Sequence, residues 1–368
     1  EGLKHIWGRT DLIPLWVADM DFATAPFVTD AIRKRCENEV LGYTGKPDSY
    51  YNAIINWVKQ RYDLIVTKEV INFVPGIVPG IGMAMNCFTQ KGDKVMIQPP
   101  VYHPFAWVTT RNERTLVINP LRWENGMYRM DLDAFREQIK GCKLFILCNP
   151  HNPGGVVWTE AELRAIADIC YDEKVLVFSD EIHADLTLPP HTHRPFATVS
   201  EKARMNSVTF MSPSKAFNMP GLSASHALIF NEDLRKRFRI YMDAGELDMG
   251  HVFAFLSVEA AYSHGTEWLD QCLAYIQGNI DFVDEFLKKH APKIKAIRPE
   301  ASYLVWLDCR ELELSQKDLN EFFVDKAHLA LNDGEMFGKE GIGFMRLNVA
   351  SPRCIIEKAM KQLADAYQ

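Results

Sequence analysis

Short apolar stretches rich in strand-forming residues alternate with helical stretches between about residues 70 and 230. In this kind of alternation a crossover helix follows each strand, so that the strands run parallel and the helices cover the sheet. One such helix begins at the capping-box sequence TEAE at 159–162, ahead of Leu163, Ile166 and Ile169. The sequence therefore predicts an α/β fold with a mostly parallel central sheet.

Polar side chains follow three of the predicted strands: Asn152 after the run 143–148, Asp180 after the run 174–179, and Lys215 after the run 207–211. The carboxyl ends of parallel strands share one edge of the sheet, and open α/β sheets bind ligands at that edge. Most lysines are solvated surface charges. A lysine between hydroxyls and a Pro-Gly turn, however, is poorly explained by packing.

Pyridoxal phosphate (PLP) requires three groups of these kinds. A carboxylate keeps its pyridine nitrogen protonated so that the ring acts as an electron sink, and a hydrogen-bond donor binds its phenolic oxygen. A lysine with a depressed pKa bonds to its aldehyde. Asp180, Asn152 and Lys215 supply these groups in that order, and hydroxyls beside the lysine are suited to a phosphate. The residues therefore predict a PLP enzyme in which Lys215 and Asp180 are catalytic.

A set of short segments, in the same order along the chain, carries a resemblance to a known family. They are WVADMDF at 16–22, GYT at 42–44, QPPVYHPF at 98–105, NPHNPGG at 149–155, SDEIH at 179–183, SPSKAFNMPGL at 212–222, ALNDGEMFG at 330–338 and FMRLNV at 344–349. With them the chain resembles the fold-type I PLP-dependent enzymes of the aminotransferase class I/II superfamily. Within that superfamily it is similar to the MalY/PatB-type cystathionine β-lyases.

The resemblance implies a fold-type I PLP-dependent transferase fold, with helices covering a mostly parallel sheet and a smaller α+β domain beside it. Residues 1–35 are then an N-terminal arm that packs with the small domain. Residues 36–266 form the large PLP-binding domain, and residues 267–368 form a linking helix and the C-terminal small domain.

The run VPGIVPGIG at 74–82 precedes a helix that we expect from Met83 onward. Backbone N–H groups at a helix N-terminus bind phosphate readily. The resemblance places the PLP phosphate here, which makes Ile77 and Val78 backbone donors. The alternative is a dinucleotide-binding loop, whose fingerprint requires a third glycine that this chain lacks.

Five further cofactor contacts are implied by the resemblance. Tyr102 stacks on the ring, His183 takes the place near the phenolic oxygen where many aminotransferases have a tyrosine, and Ser212 and Ser214 flank the phosphate. Tyr43 reaches the phosphate of the neighbouring subunit. Purely structural roles for the two tyrosines stay open.

Ser223 stands eight residues after Lys215, where many class I/II aminotransferases carry an arginine. Without that arginine the phosphate needs another donor. In related proteins the tyrosine that matches Tyr43 supplies one across the dimer interface. We therefore expect a homodimer with shared active sites.

Arg346 lies in the alternating strand predicted over 343–349. A lone arginine on an apolar strand is costly unless it is paired. The resemblance implies that Arg346 binds the α-carboxylate of the substrate through two parallel hydrogen bonds. A structural salt bridge is the alternative. No second arginine matches a dicarboxylate clamp, which disfavours an aspartate-type aminotransferase.

The implied activity is β-elimination of cystathionine, cysteine or S-substituted cysteines to a thiol, pyruvate and ammonia. Lys215 acts as the general base, and His183 favours the lyase branch. An aminotransferase is the alternative. The sequence SPSK at 212–215 also fits the S-x-x-K pattern of serine hydrolases, but the accompanying K-T-G is missing. A transcription regulator, which some MalY-type proteins bind, is left open as a further partner.

The net charge of -7 disfavours a nucleic-acid partner, and the absence of a run of about 18 apolar residues disfavours a membrane span. Eight cysteines without a C-x-x-C pair predict buried, reduced thiols and a cytoplasmic location. We expect no metal site. His183, Asp185, His191 and His193 match no common zinc spacing, and a solvated loop after Asp185 explains them better. The chain begins at Glu1 rather than Met, which leaves a removed leading segment open.

Overall fold

The computed structural model describes residues 2–368. The α-helices are α1 Gly2–Trp7, α2 Pro26–Cys36, α3 Asp48–Tyr62, α4 Ile77–Phe88, α5 Pro104–Arg111, α6 Leu132–Gln138, α7 Glu160–Asp172, α8 Glu201–Met205, α9 Glu232–Ala244, α10 Val252–His264, α11 Thr266–His290, α12 Gln316–Glu321 and α13 Arg353–Tyr367. The strands are β1 Ile13–Pro14, β2 Ile71–Val74, β3 Lys94–Ile97, β4 Thr115–Ile118, β5 Arg122–Glu124, β6 Met127–Arg129, β7 Cys142–Cys148, β8 Leu176–Asp180, β9 Ser207–Met211, β10 Ser225–Leu228, β11 Lys295–Ile297, β12 Leu304–Asp308, β13 Leu329–Ala330, β14 Asn332–Asp333 and β15 Phe344–Asn348.

The central sheet has seven strands in the order β2-β10-β9-β8-β7-β3-β4. The neighbours from β9 to β4 pair in parallel, whereas β10 runs antiparallel to both β2 and β9. Helices cover both faces: Leu144 and Ile146 of β7 enter an apolar cluster with residues of α4, whereas Phe145 and Leu147 enter another with residues of α7. The predicted mostly parallel sheet is confirmed.

The three strands that lead to the polar residues form close to their predicted positions. Strand β9 matches the run 207–211, and β7 begins one residue before the run 143–148. Strand β8 begins only at Leu176, because Lys174 adopts a left-handed backbone (φ 58°) in the turn after α7. Helix α7 begins with the predicted capping box: the Thr159 hydroxyl accepts from the Glu162 N–H, and the Glu162 carboxylate accepts from the Thr159 N–H.

The prediction that α4 begins at Met83 is wrong, because the helix begins at Ile77. Gly76 has a φ of 135°, a backbone conformation that suits glycine, and it turns the chain from β2 directly into the helix. Pro79 is tolerated in the first turn, since its missing N–H is among the four that have no partner within a helix. Ile77 and Val78 therefore form the helix N-terminus themselves.

A second, antiparallel sheet in the order β11-β12-β15-β14 lies in the C-terminal part of the chain. Helices α11 and α13 contribute Ile280, Ile356 and Leu363 to the apolar core beside it. Strand β1, near the N-terminus, pairs in parallel with β13. This contact is the kind that the expected N-terminal arm would make. The division of the chain at residues 35 and 266 stays a prediction.

The expectation of a solvated loop after Asp185 is met only in part, because residues 189–192 are exposed whereas Asp185 and His193 are buried. Asp185 is buried and accepts hydrogen bonds from the Trp57 indole N–H (3.0 Å) and from the Tyr62 hydroxyl. His193 is buried too, and its Nε2 lies 2.7 Å from a Glu181 carboxylate oxygen. The two ends of the loop are thus tied to the core by these polar contacts, and its middle part faces solvent.

The eight cysteines are all free thiols, as expected, but not all are buried: Cys36 and Cys354 are exposed. Within residues 2–368, none of the helices combines the length and the apolar character that crossing a membrane requires.

Candidate active site

A cavity opens at the carboxyl ends of β7, β8 and β9, the edge that the sequence predicted. It is lined by Ala18, Pro75, Gly76, Ile77, Val78, Pro79, Tyr102, Cys148, Asn152, Asp180, Ile182, His183, Ser214, Lys215, Pro220, Ser223, Ala224 and Ser225. Eight of the predicted cofactor residues are therefore brought together: Ile77, Val78, Tyr102, Asn152, Asp180, His183, Ser214 and Lys215.

Asp180, the last residue of β8, is buried on the cavity wall. One carboxylate oxygen accepts a hydrogen bond from the Ile182 N–H (3.1 Å). Burial, with a smaller contribution from the Glu181 carboxylate, raises the pKa of Asp180 to about 7. In the described part of the chain, no Lys, Arg or His forms an ion pair with it. A buried carboxylate without a cation suits a ligand that brings a protonated nitrogen.

Lys215 follows β9 and lies mostly out of water. Burial and the nearby Arg346 guanidinium lower the pKa of its amine to about 8. The amine donates a hydrogen bond to the backbone oxygen of Ala18. A neutral amine is thus accessible near physiological pH, as a nucleophilic lysine requires.

Arg346, on β15, is buried without a carboxylate partner among residues 2–368. Its guanidinium donates to the side-chain oxygens of Asn152 (3.0 Å) and Asn332 and to the Trp16 carbonyl (2.9 Å), and its Nε has no acceptor among the described residues. It also lies over the Phe337 ring (4.9 Å). Burial lowers the pKa of Arg346 to about 10, so it stays charged at neutral pH. Within residues 2–368, Arg346 therefore does not form the structural salt bridge that the sequence left open as an alternative.

The bond from Arg346 also orients Asn152. Because the amide oxygen of Asn152 accepts from the guanidinium, the amide nitrogen remains available as a donor. Asn152 lines the cavity together with Asp180 and Lys215. The amide can therefore meet an anionic oxygen of a ring ligand, as the sequence predicts.

The first turn of α4 forms another wall. The first hydrogen bond within this helix runs from the Gly80 N–H to the Gly76 oxygen (2.9 Å), so the N–H groups of Ile77 and Val78 precede the ladder. The partial positive charge at a helix N-terminus favours anions. The hydroxyl-bearing residues Ser214, Ser223 and Ser225 line the same cavity.

Ser212 does not line the cavity. Its hydroxyl donates to the Ala224 oxygen (2.7 Å) and accepts from the Ser214 N–H (3.1 Å), which fixes the turn that carries Lys215. Its expected contact with the phosphate stays a prediction. Its observed hydrogen bonds serve the shape of the turn.

Tyr102 and His183 line the cavity, whereas Tyr43 does not. Burial, together with Lys215 and Arg346, lowers the pKa of His183 to about 3, so its imidazole is neutral. Its Nδ1 is buried and has no protein partner among the described residues. Tyr43 is 97% exposed in this single chain. Its expected contact with the phosphate of a neighbouring subunit stays a prediction.

Sequence reasoning missed several groups at the site. Cys148, at the end of β7, lines the cavity and accepts a hydrogen bond from the Asn152 N–H (3.3 Å). Asn332 binds Arg346 from β14, and the backbone of Ala18 binds Lys215. The only sequence signal for Asn332 and Ala18 was their position inside segments already singled out. Nothing marked Cys148 beyond its place at a strand end.

The set of groups fits PLP. The buried carboxylate, the amine of lowered pKa, the free amide donor and the helix N-terminus surround one cavity, and they match the ring nitrogen, aldehyde, phenolic oxygen and phosphate of that molecule. The unpaired guanidinium adds a place for a substrate carboxylate. The described residues bring no three His, Cys, Asp or Glu side chains close enough to hold a metal ion.

Comparison with known proteins gives a consistent result. The chain is 38% identical over 364 residues to "Cystathionine beta-lyase PatB" of Bacillus subtilis, covering 98% of this chain and 94% of the relative. A PLP-bound putative aminotransferase from Clostridium difficile has a TM-score of 0.98 at 40% identity, covering 100% of this chain and 95% of that one. The PLP-bound C-S lyase from Staphylococcus hominis has a TM-score of 0.91 at 34% identity, covering 100% and 94%.

The model of the family "Aminotransferase class I and II" matches residues 10–363. This range includes every residue that lines the cavity. The chain therefore belongs to the aminotransferase class I and II family and has its fold-type I PLP-dependent architecture.

Proposed function

We propose that this protein is a PLP-dependent carbon–sulfur β-lyase that cleaves cystathionine, cysteine or S-substituted cysteines to a thiol, pyruvate and ammonia. The observation that carries the proposal is a single cavity in which Lys215, Asp180 and Asn152 meet next to the unpaired guanidinium of Arg346. The similarity to a cystathionine β-lyase and to a C-S lyase over nearly the whole chain supports it.

PLP, when bound, supplies an electron sink for negative charge that develops at the substrate Cα. Asp180 would hold the proton on the ring nitrogen. Without a cation its pKa is raised to about 7 by burial. A protonated nitrogen beside it would favour the carboxylate form and be stabilised in turn.

Lys215 is the proposed base that takes the Cα proton. Its pKa of about 8 lets a substantial fraction of the free amine be neutral near physiological pH. Arg346 would bind the substrate α-carboxylate, and its bond to Asn152 links that site to the amide that meets the ring. The remaining proposed cofactor contacts are Ile77, Val78, Tyr102, His183, Ser212 and Ser214.

An aminotransferase is the second candidate, because a putative aminotransferase is among the similar structures. Both reactions use the same binding residues and the same proton removal. They differ in what would follow proton removal: departure of a β-substituent in a lyase, or delivery of the proton by Lys215 to the cofactor rather than to the substrate in an aminotransferase. Aspartate aminotransferases among the relatives are only 22% and 23% identical, whereas the similarity to cystathionine β-lyases reaches 38%.

The proposed assembly is a homodimer in which Tyr43 of each chain completes the phosphate site of the other. The exposure of Tyr43 and the presence of Ser223 rather than an arginine at the cavity support this arrangement. A cytoplasmic location is proposed as well, since all eight thiols are free. A transcription regulator remains a candidate partner.

Product analysis tests the lyase proposal. With cystathionine and no added keto acid, we expect pyruvate and homocysteine in equal amounts, because elimination needs no amino acceptor. Adding a keto acid should leave the rate unchanged. Turnover that requires the keto acid and produces no pyruvate would establish an aminotransferase instead.

Replacing the catalytic amine tests the role of Lys215. Lys215→Ala should reduce turnover by at least the ~10²–10⁴-fold typical of a general acid–base group. Borohydride treatment of the wild-type protein should link the cofactor to the peptide containing Lys215, as read by mass spectrometry. Lys236→Ala, on the surface of α9, is the matched control. A cofactor adduct on any other lysine would contradict the assignment.

Arg346→Ala should weaken transition-state binding by roughly 2–5 kcal/mol, the cost of breaking a desolvated charge pair. The measurement is kcat/KM with cystathionine at full cofactor occupancy. Arg346→Lys should recover little, because an ammonium cannot form two parallel hydrogen bonds. Arg33→Ala, an exposed site on α2, serves as control. An unaltered kcat/KM in Arg346→Ala would remove this role.

Tyr43→Phe should weaken retention of PLP roughly tenfold, since one hydrogen bond to a charged acceptor is lost. Mixing Tyr43→Phe with Lys215→Ala subunits tests the sharing of sites. In a mixed dimer one site carries both defects and the other carries neither, so that activity should partly return. No return after demonstrated subunit exchange would mean that Tyr43 does not serve the neighbouring site.

A further inference from the structure

The 16–22 segment passes beside the cavity without forming a helix or a strand. An irregular backbone near buried groups must find hydrogen-bond partners for its carbonyls. Here the partners are side chains from distant parts of the chain: Trp16 accepts from Arg346, Val17 and Asp19 accept from Asn348, Ala18 accepts from Lys215 and Tyr303, and Met20 and Phe22 accept from Asn218. This segment is therefore held in one conformation.

Ala18 is the residue of the 16–22 segment that lines the cavity. Its carbonyl accepts from the Lys215 amine and, at 2.9 Å, from the Tyr303 hydroxyl. Asn348 binds the carbonyls on either side of Ala18, each at 2.6 Å. The direction of the Ala18 carbonyl is thus set by Tyr303 and by its locked neighbours.

Tyr303 is fully buried, and burial raises the pKa of its hydroxyl above the usual range. The hydroxyl therefore stays protonated and acts as a donor. It does not line the cavity, so it has no direct route to a substrate. Among the described residues, its hydroxyl donates to the Ala18 carbonyl.

We infer that the Ala18 carbonyl holds the amine of Lys215 whenever that amine is free, and that Tyr303 is a positioning residue that keeps this carbonyl in place. The inference rests on the proposed function, in which Lys215 must take the Cα proton. A neutral amine donates one N–H to the carbonyl and keeps its lone pair for that proton. The carbonyl therefore restricts the position of the amine, and the lone pair of the amine stays available to take the Cα proton.

Two measurements on Tyr303→Phe test this positioning role. We would measure kcat of Tyr303→Phe and of the wild type with substrate that carries either hydrogen or deuterium at Cα. With ordinary substrate, kcat of Tyr303→Phe should be roughly three- to tenfold lower than that of the wild type, the effect of one net hydrogen bond. KM and cofactor absorbance should stay unchanged. The kinetic isotope effect should rise, because proton removal becomes slower relative to the other steps. A merely structural loss would lower the amount of folded enzyme and leave the isotope effect as it was.

The second measurement uses the cofactor-free protein. Acylation of Lys215 by a trace of acetic anhydride, read by mass spectrometry relative to the exposed Lys91, should become several-fold faster in Tyr303→Phe, because the amine is held less firmly. Tyr50→Phe is the matched control. Tyr50 is also fully buried, and its hydroxyl has no partner within residues 2–368.

An unchanged isotope effect, or an unchanged or slower acylation of Lys215, would overturn the inference. Equal changes in Tyr50→Phe would overturn it as well, since the effect would then belong to any buried hydroxyl. The acylation needs no turnover. A wild-type protein that fails to cleave cystathionine would therefore overturn the proposed function alone and leave this test intact.

Discussion

The wall of the cavity holds a buried carboxylate and a mostly buried amine, the Arg346 guanidinium is buried behind them, and in the described part of the chain no two of these groups form an ion pair. Removing a charge from water costs several kcal/mol even in a relaxed protein. The structure offsets this cost with neutral partners: two asparagine oxygens and a carbonyl for Arg346, and backbone groups for Asp180 and Lys215. Burial raises the pKa of the carboxyl group and lowers the pKa values of the amine and the guanidinium, so that in each group the neutral form is favoured relative to water.

Arg346 connects parts of the chain that lie far apart in sequence. Its N–H groups donate to Asn152, which follows β7 of the central sheet, to Asn332 in the antiparallel sheet, and to the Trp16 carbonyl in the 16–22 segment. A carboxylate bound to this guanidinium would therefore act on all three parts at once. For the same reason a substitution at Arg346 would leave several buried acceptors without a donor.

Much of the fold followed from local patterns. The buried strands β7, β8 and β9 formed where apolar runs predicted them, because a run buried on both faces has few other solutions. The start of α4 was predicted too late because Pro75 and Pro79 are residues that disfavour a helix interior, whereas Pro79 lies in the first turn, where proline is tolerated. The burial of Asp185 was missed because its donors, Trp57 and Tyr62, lie more than a hundred residues earlier.

The sequence by itself determined which chemical groups stand at the carboxyl edge of the sheet, since strand ends are set by local pattern, Asp180 ends β8, and Asn152 and Lys215 come four residues after β7 and β9. Only the tertiary structure decided which groups lose water and which partners they meet. Arg346 is buried without a carboxylate partner in the described part of the chain. The Ala18 carbonyl accepts hydrogen bonds from Lys215, 197 residues away in sequence, and from Tyr303, 285 residues away. The physical reason is that desolvation and hydrogen-bond direction depend on everything packed around a group, whereas strand and helix periodicity depends on near neighbours.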